Sequence, residues 1–214
     1  MARSMALLAS LVAALQAYTA SAQAVPAAKQ SYCANFDNLP QNPTGFDPTI
    51  DPVGTYKGIT YQGFVIATQQ NSPQKPFQIP SQPNIINTGT ASRSSYGGTA
   101  ALLLNTTTTG FTKDSFTLSS LRLACVETNG AQIANANGCT ALFVGNKRSG
   151  AASVTFEYEY PNQDPGEAVA TFGTVVFPKG FKGLSEVFVT LTQVQGDVVG
   201  TNILVDDVCL SIQG

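Results

Sequence analysis

Most of the chain consists of short segments in which apolar and polar residues alternate, and this pattern constrains the fold more than any other feature. The segments are rich in Val, Thr, Phe and Tyr, and none has the periodicity of an amphipathic helix. Turn-forming pairs such as Asn129-Gly130 and Asn137-Gly138 separate several of them. The segments are Tyr32–Leu39, Ile59–Thr68, Ala100–Asn105, Ser115–Thr128, Cys139–Lys147, Ala152–Tyr160, Ala168–Phe177, Leu184–Val194 and Ile203–Ile212. About nine strands at this spacing predict an all-β fold, a two-sheet antiparallel β-sandwich.

Residues 69–98 differ in composition from the rest of the chain. They are rich in Gln, Asn, Ser and Pro, which predicts a long polar loop across one end or one face of the sandwich. The sequence contains no internal repeat and no sign of a second domain. Residues 23–214 are therefore expected to form a single domain.

The first 22 residues have the pattern of a secretory signal peptide. Arg3 precedes an apolar run from Met5 to Ala17, and small residues then allow cleavage after Ala22 or Ala24. No later stretch is long enough to span a membrane. The sequence therefore predicts a secreted protein that is extracellular or associated with the cell wall.

Charged residues are few, which bears on the choice of partners. They make up 11% of the chain, the formal net charge is −2, and the sequence has no local run of basic residues. Nucleic acid and membrane surfaces are therefore not expected as partners, and the oligomeric state stays open. Asn105 begins an Asn-Thr-Thr acceptor site, so N-glycosylation is expected in a secreted context.

All four cysteines follow the signal peptide. An even number in a secreted chain predicts two disulfides, for which three connectivities are possible. The favoured pairing is Cys125 with Cys139, which closes a local loop, and Cys33 with Cys209, which ties the first strand to the last. A four-cysteine metal site is the alternative, but the sequence has no C-x-x-C pair and thiolates oxidise outside the cell.

The chain has no histidine, which removes the usual Ser-His-Asp and Cys-His mechanisms. The remaining catalytic candidates are Glu157 and Glu159, which lie two apart on a strand and so share one face. Glycoside hydrolysis uses such a carboxylate pair. The alternative is that Phe156, Tyr158 and Tyr160 form the buried face while both glutamates face water. The sequence favours this alternative and a non-catalytic protein, and leaves enzymatic activity uncertain.

Five motifs together resemble a known class of small secreted domain. "NFDNLP", "YKGITYQGF", "SFTLSSLRLA", "GFKGLSEVFVTL" and "ILVDDVCLSI" are similar to jelly-roll domains of the carbohydrate-binding-module and galactose-binding-like type. In those domains an aromatic-acidic pair often opens the first strand, and one or two Asp residues often lie in the last. The resemblance implies a jelly-roll architecture more firmly than an activity.

The same resemblance implies a structural calcium ion, with Asp37, Asp206 and Asp207 as the matching ligands at one end of the sandwich. If the first and last strands pair through their cysteines, Asn35 lies opposite Asp207 and Asp37 lies one diagonal step away. Asp206 then faces the opposite side of the strand, and it can join the calcium ligands only if the strand bends. The alternative is that Asp206 accepts backbone or hydroxyl hydrogen bonds at the rim and Asp207 faces water.

The leading function is a non-catalytic binding protein for a polysaccharide or cell-wall glycan. Tyr96, in a Gly-flanked segment, is the aromatic residue expected to be most accessible for stacking on a sugar, with Arg93 as a polar partner. Tyr56, Tyr61, Tyr158 and Tyr160 are further candidates, each with the alternative of a packed position. A glycan-cleaving hydrolase and a structural or host-interaction protein of the extracellular matrix are the other two hypotheses.

Overall fold

Strands form the regular structure throughout the residues that the computed structural model describes. These are residues 29–40, 52–68, 77–78, 80–81, 84–89, 100–104, 115–129, 132–161, 170–194 and 201–213. The strands are β1 (Gln30–Ala34), β2 (Pro52–Tyr56), β3 (Ile59–Thr68), β4 (Phe77–Gln78), β5 (Asn84–Thr88), β6 (Ala100–Leu104), β7 (Ser115–Asn129), β8 (Gln132–Ala136), β9 (Cys139–Lys147), β10 (Val154–Tyr160), β11 (Ala170–Thr171), β12 (Gly173–Val176), β13 (Leu184–Val194) and β14 (Thr201–Gln213). Over these residues, no helix is long and apolar enough to cross a membrane. The all-β prediction is confirmed.

Twelve of the strands belong to one sheet that closes on itself. Its hydrogen-bonded order is β10-β9-β13-β6-β3-β5-β14-β7-β12, and β13 also pairs with β7, so that six strands from β13 to β7 form a ring. The closing pair is Leu184 with Phe116. Each of these six strands is paired along at least part of both edges, which limits the edge available to another chain.

The sequence predicted about nine strands in two packed sheets, whereas twelve strands form one continuous sheet that the pairing of β13 with β7 closes. Alternation within a strand shows which face is buried, but it does not show which edges pair. A second difference lies within residues 69–98, where β5 (Asn84–Thr88) is fully buried between β3 and β14. The prediction of a loop was wrong for β5. Its neighbouring Pro, Asn and Gln residues are typical of loops, so the sequence pattern did not indicate a central strand.

The buried apolar side chains form one core cluster, and alternation along the strands determines which side chains enter it. In β9 the buried residues alternate with half-buried ones from Cys139 onward. Two groups of aromatic rings lie in the core. One contains Phe36, Tyr56, Tyr61 and Phe64; the other contains Phe143, Phe156, Phe177 and Phe181.

Both disulfides have the favoured connectivity, so this prediction is confirmed. Cys33 is bonded to Cys209 across the paired strands β1 and β14. Cys125 is bonded to Cys139 within the core, where both residues are buried. Two disulfides are typical of proteins that fold in an oxidising compartment.

Candidate functional site

The last strand, β14, has one edge that two different strands share. β5 pairs with Ile203, Leu204 and Val205, whereas β1 pairs with residues 208–212. Asp206 and Asp207 therefore lie at the gap between the two strands. We call this place, with Asn35–Asp37, Ser81 and Asn84 beside it, the junction.

Asp206 is fully buried at the junction and is held by hydrogen bonds. The Ser81 hydroxyl lies 2.9 and 3.0 Å from its two carboxylate oxygens, and the Ser81 amide donates to Oδ2 at 3.0 Å. The Asp207 amide donates to Oδ1 at 2.8 Å. Burial raises the pKa of the Asp206 carboxyl from 3.8 to about 7, while these hydrogen bonds act in the opposite direction. The hydrogen bonds agree with the alternative in which Asp206 accepts backbone and hydroxyl hydrogen bonds.

β14 bends at the junction, as the metal hypothesis required. Asp206 pairs with Arg122 and Cys209 with Ser120, so the register shifts between them, and Asp207 has φ of 46°. The bend leaves Asp207 half-buried. Asp206 and Asp207 therefore both lie at the bulge in β14.

Two buried oxygens at the junction lack a hydrogen-bond partner, one on Asn84 of β5 and one on Asp37 in the turn after β1. Asn84 donates to the carbonyls of Phe36 and Leu39 at 3.2 and 2.8 Å, but its own Oδ1 accepts nothing. Asp37 Oδ2 accepts from the Asn35 amide at 2.9 Å, whereas Oδ1 of Asp37 is buried without a partner. Within the described part of the chain, no three His, Cys, Asp or Glu residues form a metal-binding group.

The glutamate pair lies on the outer face of β10. Glu157 and Glu159 are exposed, while Phe156 and Tyr158, which alternate with them, are half-buried. β10 is the terminal strand of the sheet order and pairs with β9. The expected alternation of a packed face and a wet face is present here.

Four of the candidate sugar-binding tyrosines lie in the described residues, and all four are at least partly buried. Tyr56, Tyr61 and Tyr160 are buried, and Tyr158 is half-buried. The Tyr160 hydroxyl donates to the carbonyl of Thr171 at 2.9 Å. No exposed aromatic row is present among these four. Tyr96, Arg93, Asn105 and the signal peptide lie outside the described residues.

A second candidate site lies at the other end of β14, roughly 20 Å from Asp206 by the rise of a strand. It is an open cleft of about 940 Å³. Its lining residues, which define the basic cleft, are Ser115, Thr117, Lys147, Arg148, Ser149, Ala151, Lys179, Lys182, Gly183 and Gln213. Four of the 11 Lys and Arg residues of the chain are in this lining.

The walls of the basic cleft are two turns that are bonded to each other. The Arg148 amide donates to the Gly183 carbonyl at 2.9 Å, and the Lys147 ammonium donates to the carbonyls of Gly180 and, at 2.7 Å, Lys182. Phe181 is buried beneath the second turn, with its ring 4.9 Å from that of Phe177. The cleft is therefore built on fixed backbone, which lowers the entropy cost of binding a ligand.

Sequence reasoning missed the basic cleft. Its cations come from "NKRSG" and "FPKGFKG", two turns in which basic residues alternate with turn formers. Each turn alone resembles an ordinary solvated loop, which is why the sequence contained no basic cluster. The available signal was that each segment carries two basic residues together with glycine.

Comparison with known proteins informs the fold. No model of a protein family matches the chain, and a search of curated proteins finds no relative. A crystal structure of a DUF4465 family protein from Bacteroides caccae ATCC 43185 is similar to this chain with a TM-score of 0.51. The sequence identity is 13%, and the match covers 85% of this chain and 98% of that one. At this identity the similarity supports the β-rich fold alone.

Proposed function

We propose that this protein is a secreted, non-catalytic binding protein that attaches to a polysaccharide or cell-wall glycan through the basic cleft. The observation that carries the proposal is an open, shallow cleft of about 940 Å³ built on two turns that are bonded to each other. Ligand pockets commonly have volumes of roughly 300–1,000 Å³ and a few fixed polar groups. The jelly-roll relationship to carbohydrate-binding-module and galactose-binding-like domains is part of this proposal.

The neutral polar groups of the cleft suit sugar hydroxyls. Ser115, Thr117 and Ser149 supply hydroxyl groups that both donate and accept, and Gln213 supplies an amide. A sugar ring presents the same mixture of donors and acceptors. These groups support a saccharide as the ligand without requiring an exposed aromatic platform.

The experiment is a retention assay on a panel of neutral and acidic polysaccharides, including chitin, β-glucan, cellulose and pectin. We expect the protein to be retained by at least one of them, and the Lys179→Gln/Lys182→Gln variant to be retained less. The Arg122→Gln variant is the control, because Arg122 lies outside the cleft and bonds Thr174. Retention by no polysaccharide, or equal retention of all variants, would contradict the proposal.

The hydrolase hypothesis has a separate test, since Glu157 and Glu159 do not line the basic cleft. If the protein cleaves a glycan, the Glu157→Gln and Glu159→Gln variants should each lose turnover by at least about a hundredfold, the usual effect of losing a general acid or base. Turnover that is unchanged in both variants excludes this carboxylate pair.

A calcium ion at the junction is a second proposal. The residues fit in part: Asp37 Oδ1 and Asn84 Oδ1 are buried oxygens without partners, and calcium prefers oxygen ligands. Asp206 fits less well because both of its oxygens already accept backbone hydrogen bonds, Oδ2 from Ser81 and Oδ1 from Asp207. We expect calcium to raise the melting temperature of the dialysed protein and Asp37→Asn to remove this increase. A melting temperature that changes neither with added calcium nor with a chelator would exclude the ion.

A further inference from the structure

The basic cleft concentrates positive charge in a protein that is otherwise slightly acidic. Four cations line it, and no carboxylate is among its described lining residues. The formal net charge of the whole chain is −2. A concave surface lined by one sign of charge focuses the field and raises the local concentration of counter-ions. The charge of the cleft is therefore a local property and not a consequence of overall composition.

The position of Lys147 is fixed without neutralising its charge. Its ammonium donates to two backbone carbonyls, those of Gly180 and Lys182, and neither carbonyl carries a formal charge. An ammonium has three donors, so one is left for a ligand. Lys179 and Lys182 are exposed on the adjacent turn. The cleft therefore has one cation held by backbone hydrogen bonds, Lys147, and two exposed lysines on the adjacent turn.

The uncharged residues of the basic cleft indicate which class of anionic ligand it suits best. Single-stranded nucleic acid is usually bound with aromatic stacking, and none of the lining residues is aromatic. Peripheral binding to a membrane commonly adds large apolar side chains that enter the lipid, whereas Ala151 and Gly183 are the only apolar residues in the described lining. Hydroxyl groups beside ammonium groups match a sugar that carries both hydroxyls and an acidic substituent.

We propose that the basic cleft binds an acidic saccharide, a sugar that bears carboxylate or sulfate groups. This inference rests on the proposed function and specifies its ligand class. Lys147, Lys179 and Lys182 pair with the acidic groups, while Ser115, Thr117 and Ser149 bond the ring hydroxyls. The cations give affinity and a dependence on salt; the hydroxyls orient the sugar.

The test compares polysaccharides that share a backbone and differ in charge. De-esterified homogalacturonan is compared with its methyl ester, and dextran sulfate with dextran, so that the two pairs separate carboxylate from sulfate. We expect at least about tenfold tighter binding to the acidic member of one pair. Affinity for that member should fall at least about fivefold when NaCl rises from about 50 mM to about 500 mM, because salt screens exposed charges.

Variants with one changed charge locate the binding site. Lys182→Gln should weaken binding of the acidic member at least about threefold, and the Lys179→Gln/Lys182→Gln variant more, with binding of the neutral member unchanged. Arg122→Gln removes one positive charge outside the cleft and should leave binding unchanged. Circular dichroism melting confirms that each variant is folded, which is expected because Lys179 and Lys182 are exposed.

The outcomes separate this inference from the proposed function. Equal binding of acidic and neutral members, lost in the lysine variants, overturns the inference and leaves the glycan-binding function intact. Binding to phosphatidylserine vesicles and to no polysaccharide overturns both. Preference for the acidic member that the lysine variants do not change places the site elsewhere and also overturns the inference.

Discussion

Asp206 is a carboxylate in the core of a strand whose neighbours are apolar. Its side chain is fully buried, and Ser81, 125 residues away in sequence, supplies most of its hydrogen bonds. The Ser81 hydroxyl also lies 3.1 Å from the carbonyl of Asn35, so a single side chain connects the segments that lead out of β1 and into β5 to β14. A buried acid without these donors would be strongly destabilising.

The raised pKa of Asp206 predicts that the protein loses stability as pH rises from about 4 to about 7. The unfolded carboxyl titrates near 3.8 and the folded one near 7, so within this window the folded state binds more protons than the unfolded state. The stabilisation is complete below pH 3.8, declines toward pH 7 and is lost above it. The slope contributed by Asp206 is at most about 1.4 kcal/mol per pH unit.

Denaturant unfolding of the wild type and of Asp206→Asn between pH 4 and pH 8 measures this slope. The difference between the two free energies of unfolding removes the contributions of other carboxyl groups. It should change with pH in this window and become constant above it. A difference that is independent of pH would show that Asp206 keeps an ordinary pKa.

At the scale of elements, β9, β10 and β13 support the second turn of the basic cleft. Gly145 of β9 lies where these strands meet that turn. A Cβ built at Gly145 would be 3.0 Å from Leu184 Cδ2, 3.1 Å from Val154 Cγ2 and 3.3 Å from a carbon of the Phe181 ring. The absence of a side chain at Gly145 therefore allows the turn to pack closely on the strands.

Gly145→Ala should lower the free energy of unfolding by about 1–3 kcal/mol, the usual cost of overpacking a core. It should also weaken glycan binding, because Phe181 anchors the turn that carries Lys179 and Lys182. Gly180→Ala is the matched control, since a Cβ there would be 3.6 Å from Val154, an ordinary contact. Chemical denaturation measures the free energy of unfolding of both variants. Equal values would mean that the side chains around Gly145 move to accommodate a methyl group.

At the scale of the whole molecule, the two ends of the described chain lie side by side and are cross-linked. The Cys33–Cys209 disulfide joins residues 176 apart in sequence. β1 itself is mostly exposed, and the ammonium of Lys57 donates to the Cys33 carbonyl at 3.2 Å. The cross-link therefore adds a covalent restraint to the pairing of β1 with β14, in a strand that contributes little to the core.

Cys33→Ala/Cys209→Ala should lower the free energy of unfolding by about 5 kcal/mol, because a long loop is released in the unfolded chain. Cys125→Ala/Cys139→Ala opens a loop of only 14 residues and should cost about 3 kcal/mol in chain entropy, with added loss of packing. Guanidinium titrations of both variants measure these values. A loss below about 1 kcal/mol for the first variant would show that the unfolded chain remains compact without the cross-link.

Much of the local structure followed from the sequence. The period of two predicted the exposed glutamates and the packed face of β10, because a strand places alternate side chains on opposite faces. The favoured cysteine pairing rested on loop length and on the positions of the first and last strands, and it was correct. Hydrogen bonding of Asp206 to backbone and hydroxyl groups was one of the two explanations that the sequence left open.

The remaining features depend on contacts between distant residues, which the sequence pattern does not encode. Ring closure depends on one pairing between β13 and β7. The strand β5 lies in a segment whose Pro and Asn residues are typical of loops. Ser81 bonds Asp206, which is 125 residues later in the sequence. The basic cleft arises in the same way, since Lys147 and Lys182 are 35 residues apart and meet only when their turns are bonded together. Alternation is a local property that determines the faces of strands. Which strand edges pair, and which turns become neighbours, depends on the packing of the whole chain. The basic cleft is therefore a product of the tertiary structure alone.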